Sequence, residues 1–251
     1  MEIILVGTGT GVPSLRRNPP CILMRLGEKH VIFDSGPGTL KNLLKVGVDF
    51  LNLDIVFYTH LHLDHISEFA AIMFAAKIPP TIRKKPLVVY GPSGLKEYYK
   101  KICALYKGTL CTDAYKVKIE EIENITIDID GFKIQTKTLE HHDGSMGYRI
   151  VSPEGKIAVY SGDTDYCNDI IDLSKNADLL ILECSFPSEI KMKGHLSPKE
   201  VGMVAREANA KKLVLVHMYP VCDQHDLIGP CKREFSGEVL LGEDLMEFKL
   251  T

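Results

Sequence analysis

Short apolar runs bounded by Gly, Pro and Asp recur along the chain. They fall at Ile3–Val6, Cys21–Leu26, His30–Phe33, Ile55–Tyr58 and Leu87–Tyr90, then at Ile125–Ile129, Phe132–Thr136, Tyr148–Val151, Ile157–Tyr160, Leu179–Leu182 and Leu213–Val216. Each is too short for a helix and is framed by turn residues, so each reads as a strand. Asp130-Gly131 and Pro153-Glu154-Gly155 are hairpin turns between neighbouring runs.

Helical spacing appears over Gly38–Val46, His65–Ala76 and Gly94–Tyr106. Ser197–Ala208 adds an N-cap serine, proline at the first helical position and Glu200 in place for a capping box. Strands and helices alternate in two groups, with hairpins inside each and more strands than one doubly wound sheet uses. An α/β sandwich of two mixed β-sheets, with helices on the outer faces, accommodates this order. Residues 77–86, KIPPTIRKKP, read as a basic, proline-rich surface loop.

Composition narrows the class. A chain of 251 residues with 45% hydrophobic and 25% charged residues has the material for one domain, 1–251, with an ordinary core. A net charge of -3 argues against a generally basic nucleic-acid-binding surface. Seven cysteines, odd in number and without a C-x-x-C pair, fit reduced thiols and a cytoplasmic location. The N-terminus enters an apolar strand without a basic leader, and no run approaches the roughly 18 apolar residues of a membrane span, so no membrane association is expected. The glycine-rich GTGTGVPS lacks the spacing of a dinucleotide fingerprint and reads instead as a turn at the rim of a site.

The chemistry is concentrated in THLHLDHISE, directly after the strand DIVFY. His60, His62, Asp64 and His65 lie within six positions, at a strand end and a helix start. Alternating residues in such a turn can direct two side chains at one ion and two at another. One ion needs a further ligand, and two need several more and a bridge. His141, Asp163 and His217 are the candidates, each just beyond an expected strand on what would be one edge of the sandwich.

With those residues in view, the HxHxDH loop, the Gly162-Asp163-Thr164 turn and the strand-end His217 resemble the metallo-β-lactamase superfamily, whose fold is a four-layer αββα sandwich. LVGTGTGVPSLRRN, FDSGPGT and EHHDGSMGYRI are similar, more narrowly, to the ribonuclease Z branch. The resemblance implies that His60, His62 and His141 hold one zinc ion and Asp64, His65 and His217 a second, with Asp163 and a hydroxide between them. Manganese or iron would suit the same mixed donors. His141, six residues before Gly147, is the implied ligand, and His142 is its neighbour. Asp34 is expected to buttress a ligand histidine.

Such an ion pair suits hydrolysis, with Asp64 also orienting the attacking hydroxide. By the same resemblance His195, in GHLSPKE, is the general acid and Glu183, in LILECSF, its orienting partner. The resemblance also implies a homodimer.

Substrate is where the chain departs from its branch. The ribonucleases carry a long arm that grips transfer RNA, typically between the GYRI strand and the GDT turn; here that interval is only VSPEGKIAVYSG. HMYP at His217–Pro220 lacks the arginine usual in the nuclease, and HLS replaces its HST. A dinuclear phosphodiesterase acting on a small or cyclic diester, or on exposed RNA, is the leading expectation. The alternatives are a transfer-RNA 3′-processing ribonuclease proper, a lactone, carboxyl-ester or thioester hydrolase, and a metal-binding sensor or scaffold.

Overall fold

The computed structural model describes residues 1–80 and 82–251; Thr81, inside the expected surface loop, lies outside the described residues. One seven-stranded sheet contains β1 (Glu2–Gly7), β2 (Cys21–Leu26), β3 (Lys29–Phe33), β4 (Leu53–Phe57), β5 (Leu87–Gly91), β6 (Val117–Glu121) and the late strand β14 (Glu247–Lys249), in the order β14-β1-β2-β3-β4-β5-β6. The second contains β7 (Thr126–Ile129), β8 (Phe132–Thr138), β9 (Met146–Val151), β10 (Ile157–Tyr160), β11 (Leu179–Glu183), β12 (Lys212–Val216) and β13 (Glu238–Leu241), in the order β13-β12-β11-β10-β9-β8-β7. In both sheets three antiparallel pairings give way to three parallel ones.

Strand alternation builds the layers. Ile3 and Leu5 of β1 turn into a central core shared with Ile134, Tyr148, Tyr160 and Ile181 of the other sheet, whereas Ile4 and Val6 turn outward. There they meet α1 (Thr39–Lys45), α3 (Glu68–Ala75) and α4 (Leu95–Leu105) through Leu43, Phe69, Ile72 and Leu95. The second sheet is covered in the same way by α5 (Asn168–Ser174), α6 (Pro198–Glu207) and α7 (Ile228–Glu234). A strand buried on both faces needs a continuous apolar run, which is why these strands were legible. The expected two-sheet sandwich with outer helices is what forms.

Three local expectations change. The helix expected over His65–Ala76 starts earlier, as the four-residue α2 (Leu63–Ile66), and resumes as α3 after Ser67. The strands β6, β13 and β14 and the helices α5 and α7 had no counterpart in the sequence reading. In the loop 77–86, Arg83 is buried and donates to the carbonyls of Leu51, Leu53, Lys85 and Pro86, so this cation clamps the chain. No helix among the described residues is long and apolar enough to cross a membrane.

Candidate metal centre

Parallel strands carry their C-terminal ends to the same edge of a sheet, and the candidate residues follow those ends. Asp34 follows β3, and His60 to His65 follow β4. His141 lies just past β8, Asp163 past β10 and His217 past β12, while Glu183 closes β11. Two junctions use left-handed backbone: Asp34 has φ 62° and His217 φ 54°, a conformation that non-glycine residues adopt only under local compulsion. At the GDT turn Gly162 has φ 59°, and a Cβ there would lie 2.6 Å from Thr59, so only glycine fits.

The side chains converge in two adjoining groups. His60, His62, His141 and Asp163 present donor atoms within 4.8 Å of one another, and Asp64, His65 and His217 do the same. In the first, His62 Nδ1 lies 2.9 Å from His60 Nε2 and 3.2 Å from His141 Nε2. In the second, His65 Nε2 and His217 Nε2 are 3.3 Å apart. Asp163 stands between the groups: Oδ2 is 3.8 Å from His60 and 3.7 Å from His141, while Oδ1 is 3.4 Å from both His65 and His217. Asp64 Oδ2 accepts the Gly11 N–H at 2.9 Å, which puts the glycine-rich turn at the rim, as expected.

Outer partners fix the ring tautomers. His65 Nδ1–H donates to Asp34 at 2.8 Å, and His141 Nδ1–H to the Gly194 carbonyl at 2.7 Å. Thr59 Oγ1 gives its hydrogen to Asp34 and accepts from His60 Nδ1 at 3.0 Å. Ser185 Oγ donates to Glu183 Oε2 at 2.5 Å and accepts from His217 Nδ1 at 2.9 Å. With their Nδ1 protons so engaged, four imidazoles turn a bare Nε2 inward.

A collection of lone pairs and carboxylates repels itself unless positive charge lies among it. Asp163 Oδ1 is buried and has no hydrogen-bond donor, a costly state for an anionic oxygen. Burial opposes a charge on His65, whereas Asp163 and Asp34 raise its pKa well above the ordinary value; the two carboxylates draw positive charge to this point, which a divalent ion would supply while His65 keeps a bare Nε2. Burial, followed by the influence of His65, holds His60 well below the ordinary range and leaves it a neutral donor. Mixed imidazole and carboxylate donors with an orphaned buried oxygen fit a divalent cation.

His195 sits beside this cluster, its donor atom within 4.8 Å of those of Asp163 and His217. Its Nδ1–H donates to Glu183 Oε1 at 2.9 Å. The exposed His142 packs its ring in a T-shaped arrangement against His62, centroids 5.2 Å apart, and joins neither group. All the site residues anticipated from sequence therefore meet at one edge. Ser185, which links Glu183 to His217, was not anticipated; its one signal was its place two residues after Glu183 at a strand end.

A family model described as a beta-lactamase superfamily domain matches residues 29–218. The chain belongs to the beta-lactamase superfamily. Membership of this superfamily and the clustered His and Asp donors identify a metal-dependent hydrolase. Its similarity to the ribonuclease Z of Methanosarcina acetivorans is 25% identity over 304 aligned positions, covering 100% of this chain and 98% of the relative. Since this superfamily member has 251 residues, the relative contains insertions that it lacks. Among solved structures, the metallo-beta-lactamase fold protein YhfI from Bacillus subtilis is similar with TM-score 0.85, 26% identity and coverage of 98% of each chain. The short form of human tRNase Z shares the fold, with TM-score 0.82, 24% identity and complete coverage of both chains.

Proposed function

We propose that the protein is a phosphodiesterase of the ribonuclease Z branch, holding two zinc ions and cleaving a small or cyclic phosphodiester or exposed RNA. The reading rests on one observation: two donor groups adjoin at Asp163, and the His195–Glu183 pair stands at their edge. His60, His62 and His141 would hold one ion, Asp64, His65 and His217 the other, and Asp163 would serve both. Bound divalent ions supply Lewis acidity toward phosphoryl oxygens and an activated water.

The chain's own residues do the rest. Glu183 holds His195 Nδ1, which leaves Nε2 to give a proton to the departing alkoxide. Burial alone would discharge His195, but the Glu183 hydrogen bond and charge keep its pKa above the ordinary value, so the proton is available near neutral pH. Asp64 orients the attacking oxygen, and Asp34 fixes His65.

Transfer-RNA processing is the less favoured form of this activity, because β9 and β10 are joined by a tight turn through Gly155, at φ 81°, where an arm would have to emerge. The protein is further proposed to be cytoplasmic and to form a homodimer; light scattering would test the dimer. The deciding experiment compares zinc-loaded protein on bis-p-nitrophenyl phosphate and unstructured RNA with a panel of lactones and thioesters. Turnover of the diesters is expected; turnover confined to the carbonyl panel would overturn the reading.

A further inference from the structure

We infer that Lys191 is a positioning residue that sets the placement of both His195 and His141 through a carboxylate relay. This rests on the proposed role of His195 as proton donor. The Lys191 ammonium donates to Asp165 Oδ1 at 2.5 Å and to both oxygens of Glu200, at 2.6 and 2.7 Å. Three donors thus meet two carboxylates, and each carboxylate grips a different part of the loop around His195.

Asp165 Oδ2 accepts the Gly194 N–H at 2.8 Å, and the Gly194 carbonyl accepts the Nδ1–H of His141 at 2.7 Å. Gly194 has φ 86°, and a Cβ there would lie 3.2 Å from His141 Nδ1, so the peptide that precedes His195 is pressed against that ring. Glu200 Oε2 accepts from Ser197 N and Oγ at 2.8 and 2.7 Å, which fixes the chain just beyond His195 at the start of α6. Residues 194 and 197 are therefore held on either side of His195, and one cation joins the two holds. Asp165 also belongs to the turn that carries Asp163, and the Thr164 N–H donates to the same Glu183 oxygen that receives His195 Nδ1.

Without Lys191, Asp165 and Glu200 face each other unscreened and their separation loosens the segment between them. Misplacing a proton donor harms a substrate with a poor leaving group and spares one whose leaving group departs unprotonated. A residue that only stabilises the fold would not discriminate between them.

The test is Lys191→Met in the full-length, zinc-loaded protein, assayed on a dialkyl phosphodiester and on bis-p-nitrophenyl phosphate, with zinc affinity measured by chelator competition. The expected result is a loss of about 10-fold or more on the dialkyl ester and less than about 2-fold on the aryl ester. Zinc should be held up to about 10-fold more weakly because His141 loses its tether. Lys191→Arg should restore both, since its guanidinium can span the two carboxylates. Equal losses on the two esters with unchanged zinc affinity, or no change in any measure, overturn the inference. If the parent protein cleaves neither diester, the functional reading fails and zinc affinity alone decides: weakened retention supports the role of Lys191, unchanged retention overturns it. Should Lys191→Met not fold, Lys191→Gln is read by the same criteria.

Discussion

The carboxylate of Asp34 and the imidazole of His65 form a fully buried pair, Oδ2 to Nδ1, at 2.8 Å. Asp34 is sealed from bulk solvent, and its oxygens are satisfied by the Thr59 N–H at 2.8 Å, the Thr59 hydroxyl and the Tyr160 hydroxyl at 2.9 Å. Together these contacts compel its left-handed backbone and dictate which nitrogen of His65 faces the metal centre.

Asp34→Asn is therefore expected to impair metal binding without unfolding the protein. Asparagine tolerates positive φ and keeps one acceptor for Thr59, but its amide donates toward His65. That reverses the tautomer and puts a proton on Nε2, where a lone pair is needed. Zinc affinity should fall about 10- to 100-fold, measured by competition with a fluorescent chelator. Parental affinity in the variant would show that the tautomer is set elsewhere.

Glu183→Gln should change the pH dependence of turnover. Burial lowers the pKa of His195, whereas the Glu183 hydrogen bond and charge raise it, and the net direction is upward. A proton donor with a raised pKa retains its proton further into alkaline conditions, so the alkaline limb of kcat/KM marks its loss. Removing the carboxylate charge lowers the pKa and must move that limb to lower pH, most clearly on an unactivated dialkyl diester. An unmoved limb would remove His195 from the proton transfer.

The edge that carries the donor groups was legible because its residues obey strand-end logic: His60, Asp163 and His217 each follow a short apolar run bounded by turn residues, the pattern of a doubly buried strand. The HLHLDH spacing then brought four donors into one turn. What escaped lacks periodicity. The strands β6, VKIEE, and β14, EFK, lie at the two ends of their sheet and are charged at more than half of their positions, so neither presents an apolar run. Helix α7, IGPCKRE, is seven residues long with Gly and Pro in its first turn, too short for a helical repeat to register. Ser185, Asp165 and Lys191 act through partners 26 to 32 residues away or across a loop, contacts that no local pattern encodes.

Arg83 provides a stability test away from the metal centre. Basic residues in a proline-rich segment suggest solvent exposure, but Arg83 is 3% exposed, and its guanidinium donates to four carbonyls and lies 5.6 Å over the Tyr115 ring. Arg83→Ala strands those carbonyls near the starts of β4 and β5 and should cost about 2–4 kcal/mol in urea unfolding. Lys84→Ala, at an exposed neighbour, should stay within about 0.5 kcal/mol of the parent. Equal effects at the two positions would contradict the clamp.

Metal removal should destabilise the protein as a whole, because the donor groups tie together both sheets. His60 and His65 follow strands of one sheet, whereas Asp163 and His217 follow strands of the other. Chelation leaves Asp163 Oδ1 without a counter-charge and leaves bare imidazole nitrogens 3.3 Å apart. A ligand at 100 times its dissociation constant adds about 2.7 kcal/mol per site to the folded state. For a chain of this size about 1 kcal/mol corresponds to about 2–4 °C, so EDTA should lower Tm by at least about 5 °C. Zinc added back should restore it, while magnesium, which is poorly matched to imidazole donors, should not. The same titration in Asp163→Asn should give a smaller zinc-dependent rise, since the shared carboxylate is gone and only the imidazoles and Asp64 remain. A full rise in that variant would mean that Asp163 does not join the two donor groups.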